Sequence, residues 1–159
     1  MRFQCYNISE ADIILSWSKD EIDFYKWSAG ILGEYPITKE KFDFVNNLMA
    51  FTSIEDDETV GFFTMRRPSE SFDELRFGFV VVDPSKRGKG YGKRMLQLGL
   101  KFTINLWCKK VSLSVFENNE SAYFCYKSIG FDDVILDKTE IYYVLGEEWK
   151  CKELMIENR

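Results

Sequence analysis

The stretch VVVDPSKRGKGYGKRML, Val80–Leu96, constrains this chain more than any other. A run of valines stops at Asp83–Pro84. The cationic side chains Lys86, Arg87, Lys89, Lys93 and Arg94 follow, interleaved with Gly88, Gly90 and Gly92. From Gly90 to about Trp107 the apolar residues Met95, Leu96, Leu98, Phe102 and Leu106 recur at helical spacing. The valines read as the end of a strand buried on both faces, which Pro84 terminates. A strand, a basic glycine-rich loop and a helix N-terminus together form a phosphate-binding device. Amides at a helix start lack internal partners and carry partial positive charge. Glycines let a phosphate approach them closely, and arginine can hold two of its oxygens at once. A ligand with several phosphates is the natural match.

The spacing separates the known phosphate loops. A P-loop, GxxxxGK[ST], fails because Lys93 falls where its second glycine belongs, and the Rossmann GxGxxG fails because Lys93 or Met95 falls on its third. The pattern that fits is [Q/R]xxGx[G/A], at Arg87, Gly90 and Gly92. A second block, NESAYFCYKSIGF at residues 119–131, fits NxxAxxxYxxxGF at Asn119, Ala122, Tyr126, Gly130 and Phe131. One long helix and one strand separate the blocks. On these motifs the chain resembles the GCN5-related N-acetyltransferase (GNAT) superfamily. The resemblance covers about residues 50–135; the N-terminal third and the last strands fit only in outline.

The length, 159 residues, suits one domain, taken as 1–159. The order reads as strand, helices, several strands, long helix, strand, helix and two final strands, an α/β (α+β) arrangement around one sheet. Ser9 and Thr38 read as helix caps, Asn119 as the cap and Gly130 as the stop of the helix in the second block, and Gly146 as the turn of the last strand pair. A net charge of −5 argues against nucleic acid and anionic membranes as partners, and mildly favours a cationic substrate. The chain contains no histidine, which excludes Ser–His or Cys–His nucleophile systems and a histidine-ligated zinc; no metal is expected. Cys5, Cys108, Cys125 and Cys151 form no CxxC pair and read as reduced thiols. Without a signal-like or membrane-spanning apolar run, a cytoplasmic protein is expected.

The resemblance implies a mixed, mostly antiparallel sheet of about seven strands, flanked by about four helices and splayed between strands four and five. It implies transfer of an acetyl group from acetyl-CoA (coenzyme A) to a primary amine by direct attack in a ternary complex. Coenzyme A would be held by Arg87, Gly88, Lys89, Gly90, Tyr91, Gly92 and Lys93, with Asn119 and Ala122 from the second block. Backbone N–H groups around Val80, Val81 and Val82 would polarise the thioester carbonyl. Tyr126 occupies the position of the acid that protonates the departing thiolate, or else packs on the cofactor. Many relatives carry a glutamate where this chain has Arg76. Glu74, two residues earlier on the same strand face, could serve as base through a water, and Arg76 could instead bind a substrate carboxylate. Trp27, Glu34 and Tyr35 are the acceptor-side candidates, as an aromatic cage for an amine or as core packing. The acceptor is a small-molecule or peptide amine, and a homodimer stays open. A domain that binds acyl-CoA without turnover is the alternative reading, and a nucleotide-binding protein a distant third.

Overall fold

The computed structural model describes residues 1–158. β1 (Arg2–Cys5) leads into a capping box in which the Asn7 side chain accepts from the Ser9 amide and Glu10 reaches back to the Asn7 amide. Asn7, not Ser9, is therefore the cap, because a short 3-10 turn starts two residues earlier than the apolar spacing suggests. α1 (Ala11–Leu15), α2 (Glu21–Ser28) and α3 (Lys39–Phe42) follow; Asp20 caps α2, and Thr38, as read from the sequence, caps α3. β2 (Met49–Glu55), β3 (Glu58–Arg66) and β4 (Glu74–Val82) form an antiparallel meander. α4 (Tyr91–Asn105), β5 (Lys110–Phe116) and α5 (Glu120–Ile129) come next, then β6 (Asp132–Val134), β7 (Ile141–Val144) and β8 (Glu147–Glu157).

The sheet has eight strands in the order β1-β2-β3-β4-β5-β8-β6, with β7 also on β8. Every pairing is antiparallel except β4 with β5. The extra strand relative to the expected seven arises in residues 131–146. Instead of one strand, that segment forms β6 opposite Glu153–Met155 and β7 opposite Glu147–Lys150. Between them runs the exposed stretch ILDKTE, whose polar Asp137–Glu140 has no apolar side to bury. Gly146, at φ +78°, makes the β7–β8 turn as anticipated. Five α-helices are present among the described residues, against the about four that the resemblance implies.

The alternation of β3 places Phe62 and Phe63 on opposite faces. Phe62 joins Ile14, Trp17, Phe24 and Phe42 beneath α1–α3, while Phe63 joins Phe77, Met95, Leu96 and Leu100 beneath α4. Both faces of the sheet are thus covered, with several buried aromatics in each layer. Each fully buried Phe or Leu contributes about 1.5–3 kcal/mol. No helix among the described residues is long and apolar enough to cross a membrane.

Two irregularities create the functional cleft. β4 and β5 pair only from Glu74↔Lys110 to Arg76↔Ser112, after which they diverge, while β5 continues to pair with β8 as far as Phe116. The edge of β4 beyond Arg76 therefore has no strand beside it on the β5 side, and backbone groups there are left for another partner. In addition, the β3–β4 register slips, so that Phe79 and Val80 stand opposite Phe63 alone. This is a β-bulge, which bends the strand and re-aims its side chains.

Candidate active site

The bulge is held in an unusual conformation. Phe79 has φ +48°, which costs a bulky residue energy and persists only where neighbours fix it. Trp27 of α2 is one such neighbour, since its indole N–H donates to the Phe79 carbonyl at 2.8 Å. Trp27 also packs on Phe24, Phe42, Phe62 and Phe79. Trp27 thus clamps the bent strand and also lines both cavities described below. The valines behave differently from the expected doubly buried strand. Only Val81 is fully buried, because the divergence of β5 leaves Val80 and Val82 half-exposed, facing a cleft.

That cleft, of about 580 Å³, runs between the end of β4, the start of α4 and the start of α5. Val80, Val81, Val82, Arg87, Gly88, Gly90, Tyr91, Gly92, Lys93, Asn119, Ala122 and Tyr126, all anticipated from the sequence, line it. Lys89 does not, and its side chain is exposed. Asn119 precedes α5, makes no side-chain cap and lines the cleft; Gly130 ends the helix as expected. Asp83 folds the chain into a short 3-10 turn by accepting from the Ser85 amide, and the loop then passes through Gly88 at φ +75° and Gly90 at φ +80°. A Cβ at either glycine would meet nothing within 4 Å, so it is the left-handed backbone, not crowding, that calls for glycine. Left-handed turns of this kind help form anion-binding concavities of main-chain N–H groups. The first intrahelical bond of α4 runs from the Arg94 amide to Gly90, at 3.0 Å, and no side chain caps the helix. The amides of Tyr91, Gly92 and Lys93 consequently lack an intrahelical acceptor.

The five cations of this segment divide into two groups. Lys86 is paired with Glu58 at 3.1 Å and Arg94 with Glu55 at 3.0 Å, so both serve to anchor the loop to the β2–β3 hairpin. Among the described residues, Arg87, Lys89 and Lys93 have no acidic partner within ion-pair distance. The loop thus presents two free cations to the cleft, Arg87 and Lys93.

A second cavity, of about 330 Å³, lies in the fork between β4 and β5. It shares Lys26, Trp27, Val80, Asn119 and Tyr126 with the first, so the two meet at the Tyr126 side chain. Tyr126 is buried, which pushes its hydroxyl pKa well above the ordinary tyrosine value.

The candidate base and anchor residues fare unequally. Glu74 is engaged where β4 and β5 are still paired: it accepts from Ser112 Oγ at 2.6 Å, and Lys110 Nζ lies 3.4 Å away. It lines neither cavity. Arg76 does line the second cavity, but its fork is already filled. Both guanidinium nitrogens donate to the Glu153 carboxylate of β8, Nη2 to Oε2 at 2.9 Å, and also to Ser112 and Ser114. The ion pair with Glu153 raises the Arg76 pKa further. A substrate carboxylate would have to displace Glu153, so Arg76 serves as the floor of the cavity. Glu34 is exposed and Tyr35 packs on Phe24, with its hydroxyl donating to the Lys19 carbonyl; neither lines a cavity. The residues that sequence reasoning missed are Lys26, Arg66, Glu140 and Tyr142, all on the second cavity wall. Tyr142 donates to Glu140 at 2.7 Å. No local motif marks these residues, because β3, α2 and the start of β7 meet only through the sheet topology.

A family model described as Acetyltransferase (GNAT) family matches residues 11–131. Among curated proteins, mycothiol acetyltransferase of Corynebacterium efficiens is 36% identical over 76 residues, 47% of this chain and 25% of that protein. Spermine/spermidine N(1)-acetyltransferase of Bacillus subtilis is 41% identical over 51 residues, 31% of this chain and 34% of that protein. The chain thus matches only about a quarter to a third of these relatives' length. Among solved structures, spermidine N-acetyltransferase from Vibrio cholerae in complex with CoA and spermine aligns with a TM-score of 0.80 at 14% identity, covering 98% of this chain and 94% of that one. Ribosomal-protein-alanine N-acetyltransferase from Brucella melitensis aligns with a TM-score of 0.76 at 14% identity, covering 99% and 100%. At these identities the structural likeness bears on the fold.

Proposed function

The chain belongs to the acetyltransferase (GNAT) family, and from that premise we propose that residues 1–159 act as one N-acetyltransferase domain. It moves an acetyl group from acetyl-CoA to the primary amine of a small acceptor. The observation that carries this reading is the meeting of two cavities at Tyr126, one of them walled by the uncapped start of α4. The residues present suit a diphosphate: free amides at Tyr91, Gly92 and Lys93, an open turn at Gly88 and Gly90, and the uncommitted charges of Arg87 and Lys93. The CoA named in the V. cholerae complex supports the same cofactor. Bound there, acetyl-CoA supplies an acetyl thioester as the acyl donor.

The chain's own groups then have three tasks. The unpaired edge of β4 at Val80 offers main-chain N–H groups to the acyl oxygen as negative charge builds on it; such donors contribute about 3–4 kcal/mol. The acceptor nitrogen attacks the carbonyl carbon, the C–S bond breaks, and Tyr126 gives its proton to the departing sulfur. Burial raises the hydroxyl pKa, which makes it a weaker acid than an exposed tyrosine, so the proton moves only as negative charge builds on the sulfur beside it. The acceptor's surplus proton needs a carboxylate within the second cavity. Glu140 lines that cavity and Glu74 does not, so we assign the base role, directly or through water, to Glu140. Amines named for relatives, spermine and spermidine, belong in the first acceptor panel.

The test couples calorimetric titration of acetyl-CoA with thiol release across an amine panel. Binding together with amine-dependent thiol release is the expected result. Binding without release from any amine would leave an acyl-CoA-binding module, and absence of binding would overturn the assignment.

A further inference from the structure

The second cavity carries charges that a simple amine site would not need. Its titratable lining comprises Lys26 from α2, Arg66 from the end of β3, Arg76 from β4, Glu140 ahead of β7, and the neutral Tyr126, Tyr142 and Cys151. Arg76 is neutralised by Glu153. Among the described residues the Glu140 carboxylate accepts a side-chain hydrogen bond from Tyr142 alone, and its charge also acts on Arg76, which Glu153 already pairs. Among the described residues, neither Lys26 nor Arg66 has an acidic side chain within ion-pair distance. The chain has 26 acidic residues against 21 basic ones, so carboxylates are plentiful, and yet these two cations are left without one. The wall is therefore dipolar, with two uncommitted cations and one carboxylate around about 330 Å³. A polycation would meet Lys26 and Arg66 as like charges. A molecule with both signs would satisfy the whole wall.

We infer that the acceptor is a small amine that bears a carboxylate on the same molecule, with its anion toward Arg66 and Lys26 and its ammonium toward Glu140. This rests on the acetyl-transfer reading and specifies its substrate class. The cavity volume suits a molecule of amino-acid size. A planar guanidinium with no internal partner is the side chain best matched to a carboxylate. Lys26 borders both cavities and could also face the cofactor, whereas Arg66 borders the acceptor cavity alone, so Arg66 carries the test.

The experiment measures thiol release from acetyl-CoA with the common L-amino acids, their carboxamides and spermidine, and titrates acetyl-CoA calorimetrically into the same preparations. The expected result is an amino acid whose kcat/KM exceeds that of its own amide and of spermidine by about tenfold or more. In Arg66→Gln that acid-over-amide ratio falls by about tenfold or more, through the KM of the acid, and Arg66→Lys retains part of it. Spermidine or an amide as the best acceptor, or an unchanged ratio in Arg66→Gln, overturns the inference while acetyl-CoA binding still stands. Failure to bind acetyl-CoA would instead remove the parent reading.

Discussion

Replacing Gly90 by alanine separates a conformational from a steric requirement in the cofactor loop. Gly90 sits at φ +80°, ψ 8°, immediately before α4, and a Cβ there meets no atom within 4 Å. The methyl group therefore clashes with nothing, and the cost is that of holding an L-residue in the left-handed region, about 1–2 kcal/mol. The loop is exposed, so the free protein can relax by leaving that conformation, and its melting temperature should scarcely move. The cost then falls on ligand binding, where the turn must be restored. Gly90→Ala is expected to weaken acetyl-CoA by a factor of roughly 5–30 in a calorimetric titration. Gly90→Asn, with a side chain larger than alanine's but a tolerated left-handed backbone, should recover most of that loss. Wild-type affinity in Gly90→Ala would refute the conformational argument, and equal losses in the two variants would show that bulk, not backbone, decides.

Tyr126→Phe should lower kcat about a hundredfold while leaving the acetyl-CoA Kd within about twofold, measured by steady-state kinetics and calorimetry. Arg87→Gln should weaken acetyl-CoA by about tenfold, and Lys86→Gln much less, because Glu58 already holds the Lys86 charge; titrations in low and high salt would compare them. Glu153→Gln removes the ionic partner of a largely buried guanidinium and should cost about 2 kcal/mol, or about 4–8 °C in Tm, with the double change Arg76→Leu and Glu153→Leu closer to wild type. Tyr6 and Tyr142 have pKa values raised to about 12, mainly by burial, and Tyr126 is raised further. In the unfolded chain these tyrosines would ionise from about pH 10, so stability should be flat below that pH and fall above it in alkaline denaturation.

What the sequence made legible was local. The loop from Arg87 to Lys93 and the Tyr126 helix are contiguous motifs whose chemistry depends on backbone direction and side-chain type, and both come to line one cleft. The division of the loop's cations was not legible, since Glu55 and Glu58 reach Arg94 and Lys86 only when the β2–β3 hairpin folds beside α4. Arg76 and Glu153 are 77 positions apart and meet through the β5–β8 register. That register also decides the fate of Glu74. Strand alternation correctly places it on the face of Arg76, but the fork opens only after Arg76, so Glu74 remains in the paired part with Ser112 and Lys110. Val80 and Val82 read as buried for the same reason: hydrophobicity reports preference for an apolar partner and does not say whether that partner is a strand or a cleft.

In the proposed function, main-chain amides at the start of α4 hold the diphosphate of acetyl-CoA. Backbone ¹⁵N–¹H spectra recorded during a titration with acetyl-CoA test it most directly. The amides of residues 88–93 should shift downfield together and exchange more slowly with solvent at saturation. Saturable binding that left those resonances unmoved would place the diphosphate elsewhere and contradict the account.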